Sequence, residues 1–304
     1  MAVGTPRFFI NDLEWLDATG YAPLLSDYLR TLPVNVSQFE GQIDFTIPYS
    51  LINPYVALLG IKDFGDLYAF GGSLASVETD AIKINENMQY DGWSLLELDS
   101  TPYSFFSDSA SIGSVIIGSY YTMTKAPNLS LKISHDYGGT KEFTTINGSS
   151  MSNTMWSKPP KWGSLGAWEL ADEEDYGLIP ALSRTGRRTW DLKFSFIDDG
   201  DLWGSNQSLT FDAFVNETSG ITFDPTTDLQ DSGNFTYNLL SDDNFFSQVW
   251  SKTLGSALPF LMQQDSTNYS PDQFAICRFA DDSLEATQSA FNVYDISLKI
   301  EEVW

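Results

Sequence analysis

The sequence predicts a mainly β protein, an antiparallel β-sandwich with one or two flanking helices and a long irregular arm. Three observations predict it. Short runs alternate apolar and polar residues with a period of two, as half-buried strands require. Glycine- and aspartate-containing turn signals punctuate those runs. Phe, Trp and Tyr make up 14% of the chain, and aromatic side chains suit a pleated, partly buried surface.

Three regions follow from the pattern. Residues 1–150 form a mixed, β-rich N-terminal region. Residues 151–187 form an extended arm or long loop. Residues 188–304 form a β-sandwich portion with a helix near 242–254, either separate or one domain with the N-terminal region.

Taken in order, residues 22–30 allow a short helix opened by Pro23, since proline is tolerated in a first turn. Residues 42–47 alternate Ile43, Phe45 and Ile47 with Asp44 and Thr46, the pattern of a half-buried strand. Further strands are expected at 67–70, 93–98 and 114–123. A hairpin is expected where Leu129, Leu131 and Ile133 alternate with Ser130 and Lys132. Its turn is placed at Asp136-Tyr137-Gly138-Gly139, with 141–146 as the returning strand.

The arm holds Pro159-Pro160, the tryptophans Trp156, Trp162 and Trp168, an acidic run at 169–175, and then Arg184, Arg187 and Arg188. No period of 2 or 3.6 persists there, and a loop of that length within a compact protein is commonly functional or disordered. Trp and Arg are enriched at interface hot spots. These six residues are therefore the candidate partner-binding set, with Arg187 and Arg188 meeting acids on a neighbouring chain.

The clearest strand places Trp190, Leu192, Phe194 and Phe196 on one face, opposite Asp191, Lys193 and Ser195. A helix is signalled next. Ser241-Asp242-Asp243 offers a cap, Phe246, Val249, Trp250 and Thr253 share a face, and Gly255 is the terminator. The last strand alternates Tyr294, Ile296, Leu298 and Ile300 with Asp295, Ser297, Lys299 and Glu301.

Charge narrows the function. The chain carries 41 acidic and 16 basic residues, a formal net charge of −25. Binding a phosphate backbone relies on Lys and Arg displacing counterions, so nucleic-acid binding is not expected. The first residues lack a basic start followed by an apolar run, so no signal peptide is expected. No apolar run is long enough for a membrane helix, and no membrane insertion is expected.

Catalytic patterns are sparse. The single histidine, His135, sits at a strand end without an evident partner, and Cys277, the single cysteine, lies in a strand-like run and reads as a buried, inert thiol. No HExxH, paired CxxC or phosphate-binding loop occurs, so no metal, cofactor or catalytic residue is assigned. Asp198-Asp199-Gly200-Asp201 departs from a calcium-binding loop at Trp203 and Thr210 and reads as an acidic turn. A pair of carboxylates across a sugar site would suffice for a glycosidase, but most acids fall at alternating or loop positions.

From residue 187 onward, RRTWDLKFSFIDDGDLWG is followed by DDNFFSQVWSKTLG, then ALPFLMQQDSTNYSPDQFAICRF and FNVYDISLKIEEVW. This succession resembles structural proteins from the tail tip of long-tailed bacteriophages, of the distal-tail and tail-tube-like kind. The resemblance implies a sandwich repeated around a ring, usually six-fold, at the junction of tail tube and baseplate. It implies as partners further copies of the chain and other tail proteins, with DNA passing through unbound. It also implies a virion location after assembly in the host cytoplasm. The other reading of the same residues is a carbohydrate- or receptor-binding β-sandwich whose aromatics stack on sugar rings.

Overall fold

The computed structural model describes residues 4–21, 23, 27–32, 37–38, 47, 49, 51–59, 62–64, 68–69, 72–73, 77–78, 82–85, 106–156, 186–203, 240, 242–269 and 273–304. The strands in chain order are β1 (Arg7–Asn11), β2 (Ser37–Gln38), β3 (Pro54–Leu59), β4 (Lys62–Phe64), β5 (Tyr68–Ala69), β6 (Gly72–Ser73), β7 (Val77–Glu78), β8 (Ile82–Asn85) and β9 (Phe106–Ile112). They continue as β10 (Ser114–Thr122), β11 (Lys132–Asp136), β12 (Gly138–Thr144), β13 (Ser150–Trp156), β14 (Arg187–Asp198), β15 (Phe260–Gln263), β16 (Phe274–Phe279), β17 (Ala286–Ala290) and β18 (Val293–Glu302). Two short α-helices, α1 (Asp12–Ala18) and α2 (Asp199–Leu202), a 3-10 turn (Asp27–Leu29) and a π-helix (Phe246–Trp250) complete the described elements.

The protein is mainly β, antiparallel and sandwich-like, with few helices. One eleven-stranded sheet runs β11-β14-β18-β16-β15-β1-β10-β3-β8-β7, with β17 joined to β18. Strand β1 lies between β10 and β15, so the N-terminal and C-terminal regions share this sheet. Its central position explains why Arg7–Asn11 reads RFFIN rather than alternating. Phe8 and Ile10 enter one core cluster with Trp190, Phe194, Phe245 and Leu298. Phe9 enters another with Tyr55, Ile116, Phe274 and Ile276. A strand apolar on both faces is one covered on both faces.

The terminal strand behaves as its alternation predicts. Ile296, Leu298 and Ile300 are buried, while Ser297, Lys299 and Glu301 are exposed and Tyr294 is half-buried. Strand β14 departs from its pattern at one point. Phe194 pairs with Ile296 but Ile197 pairs with Tyr294, so one extra residue sits on β14. This β-bulge turns Phe196 outward to 68% exposure at a φ of 60° and brings Ile197 into the core in its place. A bulge re-aims side chains, and binary patterning gives no sign of it.

The expected hairpin is corrected. Residues 132–136 do not fold back on 141–146: β11 pairs with β14, and β12 pairs with β13. The turn lies at 145–149, where Asn147-Gly148 supplies the positive φ that a tight hairpin needs, +77° at Gly148. Thr145 closes the loop by accepting from Ser149 N at 3.1 Å and donating its N–H to Ser149 O at 2.9 Å.

The C-terminal helix also differs. Its cap is Asn244, whose Oδ1 accepts from Ser247 N at 2.8 Å, not the preceding Asp242 or Asp243. A π turn follows, with Ser251 N donating to Phe246 O and Gly255 N to Trp250 O. The wider turn rotates the later residues relative to a 3.6-residue helix. Phe245 is buried in place of half-buried Phe246, and Lys252 joins Val249 and Thr253 inside. Gly255 ends the segment at a φ of +67°, as a left-handed terminator should.

In 22–30 the described helical residues are Asp27–Leu29, and in 67–70 the described strand is Tyr68–Ala69. The strand expected at 93–98 lies outside the described residues. So does that at 42–47 apart from Ile47, which is buried.

Candidate functional site

Three features hold the chemistry-bearing side chains: a projecting hairpin, a buried ionic cluster beside an aromatic cleft, and a second buried ion pair near the C-terminal strand.

The hairpin β12–β13 continues directly from β11 at the edge of the main sheet, and its two strands pair only with each other among the described residues. Cross-strand partners share a face. Gly139↔Met155, Lys141↔Asn153 and Phe143↔Met151 define one face, and Thr140↔Thr154, Glu142↔Ser152 and Thr144↔Ser150 the other. The first face sets Phe143, Met151 and Met155 around the polar pair Lys141 and Asn153. The second carries hydroxyls, with Thr140 and Thr154 in contact at 2.9 Å. Phe143, Met151 and Met155 are 59%, 61% and 63% exposed, and Ile146 at the tip is fully exposed. At roughly 3.4 Å per residue each strand reaches about 24 Å. An isolated two-stranded hairpin is marginal in water, and this one offers its apolar face to solvent.

The ionic cluster forms where β1 passes into α1. Asn11 caps the helix, its Oδ1 accepting from Glu14 N at 3.4 Å. The next residue, Asp12, is fully buried. Its Oδ1 lies 2.5 Å from Lys252 Nζ and accepts from Tyr49 Oη at 2.8 Å. Its Oδ2 accepts from Ser119 N at 2.7 Å and Ser119 Oγ at 2.8 Å. Lys252 Nζ also donates to Ser119 Oγ at 2.8 Å and sits 5.6 Å from the Tyr49 ring centre. Nearby, Glu14 Oε2 accepts from Thr31 N and Oγ1 at 3.0 and 2.6 Å. Gly118 makes room for the cluster, because a Cβ there would overlap the Ile10 carbonyl and the Asp12 carboxylate. Burial, followed by the Asp12 and Glu14 carboxylates, pushes the Tyr55 hydroxyl well above its ordinary pKa.

A serine hydroxyl between a lysine and an aspartate has the composition of an activated nucleophile. Its surroundings argue for structure instead. Ser119 and Lys252 are each 1% exposed, so the hydroxyl meets no solvent-borne substrate. The lysine is also held against a carboxylate. Above the cluster lies a cleft of about 430 Å³, walled by Trp15, Tyr21 and Tyr49, with Trp15 and Tyr49 edge to face at 6.3 Å. Comparison with known proteins returns no matching family model, no matching curated protein and no matching solved structure. The functional reading therefore rests on geometry.

The candidate residues of the arm separate. Trp156 ends β13 opposite Gly138. Trp162, Trp168 and Arg184 lie outside the described residues. Arg187 is exposed, with its guanidinium 4.9 Å above the Trp304 ring and Nη2 donating to Trp304 O at 3.2 Å. Arg188 is corrected: it meets an acid within its own chain. It is buried against Glu302, with Nη2 to Oε1 at 2.9 Å and Nε to Oε2 at 3.2 Å, and a further bond to Phe274 O at 2.8 Å. The cause is alternation, since Arg188 shares the inward face of β14 with Trp190.

Cys277 lies beside this pair. Burial first, and the Glu302 carboxylate second, push its thiol well up, with Arg188 opposing; a neutral buried thiol is unreactive. His135 is exposed on β11. Among the described residues no group of three His, Cys, Asp or Glu side chains is placed to hold a metal ion, and no helix is long and apolar enough to cross a membrane.

The sequence reading missed the hairpin's position and the ionic cluster. Asn147-Gly148 signalled the first. Nothing local signalled the second, because its members come from the start of α1, the segment before β3, β10 and the turn after the π-helix, and meet only in the folded chain.

Proposed function

We propose that this chain is a virion structural protein of a bacteriophage tail, forming a ring at the junction of tail tube and baseplate through which DNA passes. The observation that carries the reading is the β12–β13 hairpin, a projecting element with Phe143, Met151 and Met155 exposed on one face. Contiguous exposed apolar surface of this kind marks interaction sites. A net charge of −25 favours the same role, since an acidic wall repels passing DNA. Size-exclusion chromatography with light scattering tests the reading. The purified chain should form discrete high-order species, and imaging should then find closed rings, six-fold on this reading. A monomer at every concentration overturns it.

The cleft walled by Trp15, Tyr21 and Tyr49 favours a second reading, a carbohydrate- or receptor-binding module. Aromatic faces stack on sugar rings, and a glycan array tests it. Binding that Trp15→Ala abolishes supports this reading, and no binding across the array removes it.

A further inference from the structure

We infer that copies of this chain join head to tail, the hairpin β12–β13 of one copy docking along the outer edge of β17 in the next. This rests on the assembly reading above and names the surface that receives the hairpin.

The first observation is a pair of unguarded edges. Exposed edge strands are normally protected by charged residues or proline. Strand β13, Ser150–Trp156, contains neither, and bonds only to β12 among the described residues. Strand β17, Ala286–Ala290, also contains neither, bonds only to β18 among the described residues, and is exposed from Thr287 onward. In a chain this acidic, two uncharged edges are a local departure, and each is chemically suited to accept another strand.

The second is position. The hairpin springs from the end of β14 where Asp136 pairs with Arg187. Strand β17 pairs with the part of β18 that lies against Phe194–Asp198, toward the opposite end of β14. The two attachment points are roughly 25 Å or more apart at 3.3 Å per residue. A protrusion at one end and a receptor at the other define a heterologous contact, which closes into a ring when the rotation between copies permits.

The third is complementarity. Lys141 is the one charge on the hairpin's apolar face. The segment entering β17 exposes Asp281, Asp282 and Glu285. Among the described residues, Lys141, Asp281 and Glu285 have no ion-pair partner. At the end of the receiving strand Phe291 is 73% exposed, and Phe196, across β18 from β17, is held outward by the bulge. These rings offer apolar surface to Phe143, Met151 and Met155. A second copy supplies edge, charge and apolar contact together.

The experiment uses two variants of the full chain. Phe143→Ser with Met151→Ser blocks the hairpin, and Ser289→Lys blocks the edge. All three sites are exposed, and unchanged circular dichroism and thermal melting confirm folding. Light scattering should find each variant monomeric alone, while a mixture gives a 1:1 heterodimer and nothing larger. Copies carrying Lys141→Cys and Glu285→Cys, mixed under mild oxidation, should form a linked heterodimer, since the native Cys277 is buried. If Ser289→Lys assembles like the unmodified chain while the hairpin variant does not, the head-to-tail contact is wrong and the assembly reading stands. Homodimers of the Ser289→Lys chain, without heterodimer in the mixture, point to hairpin-on-hairpin pairing and overturn it equally. An unmodified chain that stays monomeric overturns both.

Discussion

Lys252 and Asp12 show how far one buried charge pair reaches. Each is fully enclosed, and Ser119 and Tyr49 complete the shell. Removing one partner strands the other. Lys252→Met should cost about 3–5 kcal/mol in urea unfolding. The double change Lys252→Met with Asp12→Asn should recover part of that loss, and a single-variant cost below about 1 kcal/mol would mean the pair is solvated. Tyr55 presents the opposite case. Its ring packs against Phe9 at 5.0 Å, but its buried hydroxyl has no hydrogen-bond partner among the described residues. An unsatisfied buried polar group costs about 1–3 kcal/mol, so Tyr55→Phe should raise the melting temperature. A fall would show that the hydroxyl is satisfied in solution. Neither residue's role was legible in the sequence. A lysine near a helix end reads as a surface cation, and only the π turn and the fold of the sheet place Lys252 inside.

At the scale of elements, strand patterning was the most readable feature. The alternation of β18 identifies its buried residues, and Leu298→Ala should cost about 2–5 kcal/mol by equilibrium unfolding, against a negligible change for Ser297→Ala on the exposed face. Equal effects at both positions would contradict the assigned face. What sequence periodicity could not show was interruption. The bulge at Phe196 and the π turn after Phe245 each break a regular repeat, so residues beyond the break fall on a face the repeat does not predict. The hairpin was misplaced for a different reason. Asp136-Tyr137-Gly138-Gly139 has turn chemistry, but here the positive φ of Gly138 and Gly139 accompanies a change of partner strand. The candidate interface gained the hairpin, whose strand β13 takes in the first residues of the 151–187 arm, and Arg188 moved from contact residue to core.

At the scale of the molecule, charge and topology set the terms. A net charge of −25 opposes compaction through self-repulsion, while the two enclosed ion pairs are little affected by salt. Raising NaCl from about 0.01 to 0.15 M shortens the screening length from roughly 30 to 8 Å, so the melting temperature should rise across that range. A flat or falling profile would mean that attraction between exposed charges outweighs the repulsion. Topology has a consequence in time. Strand β1 bonds to β10 on one side and β15 on the other, and Thr5 contacts Ser266, 261 residues along the chain. A ribosome adding about 5–20 residues per second needs roughly 10–50 s between making β1 and making its second neighbour. Phe8, Phe9 and Ile10, all buried at the end, must wait that long beside a half-built sheet. The nascent chain thus carries uncovered apolar surface and an unpaired strand edge through most of its synthesis, the condition that favours premature aggregation.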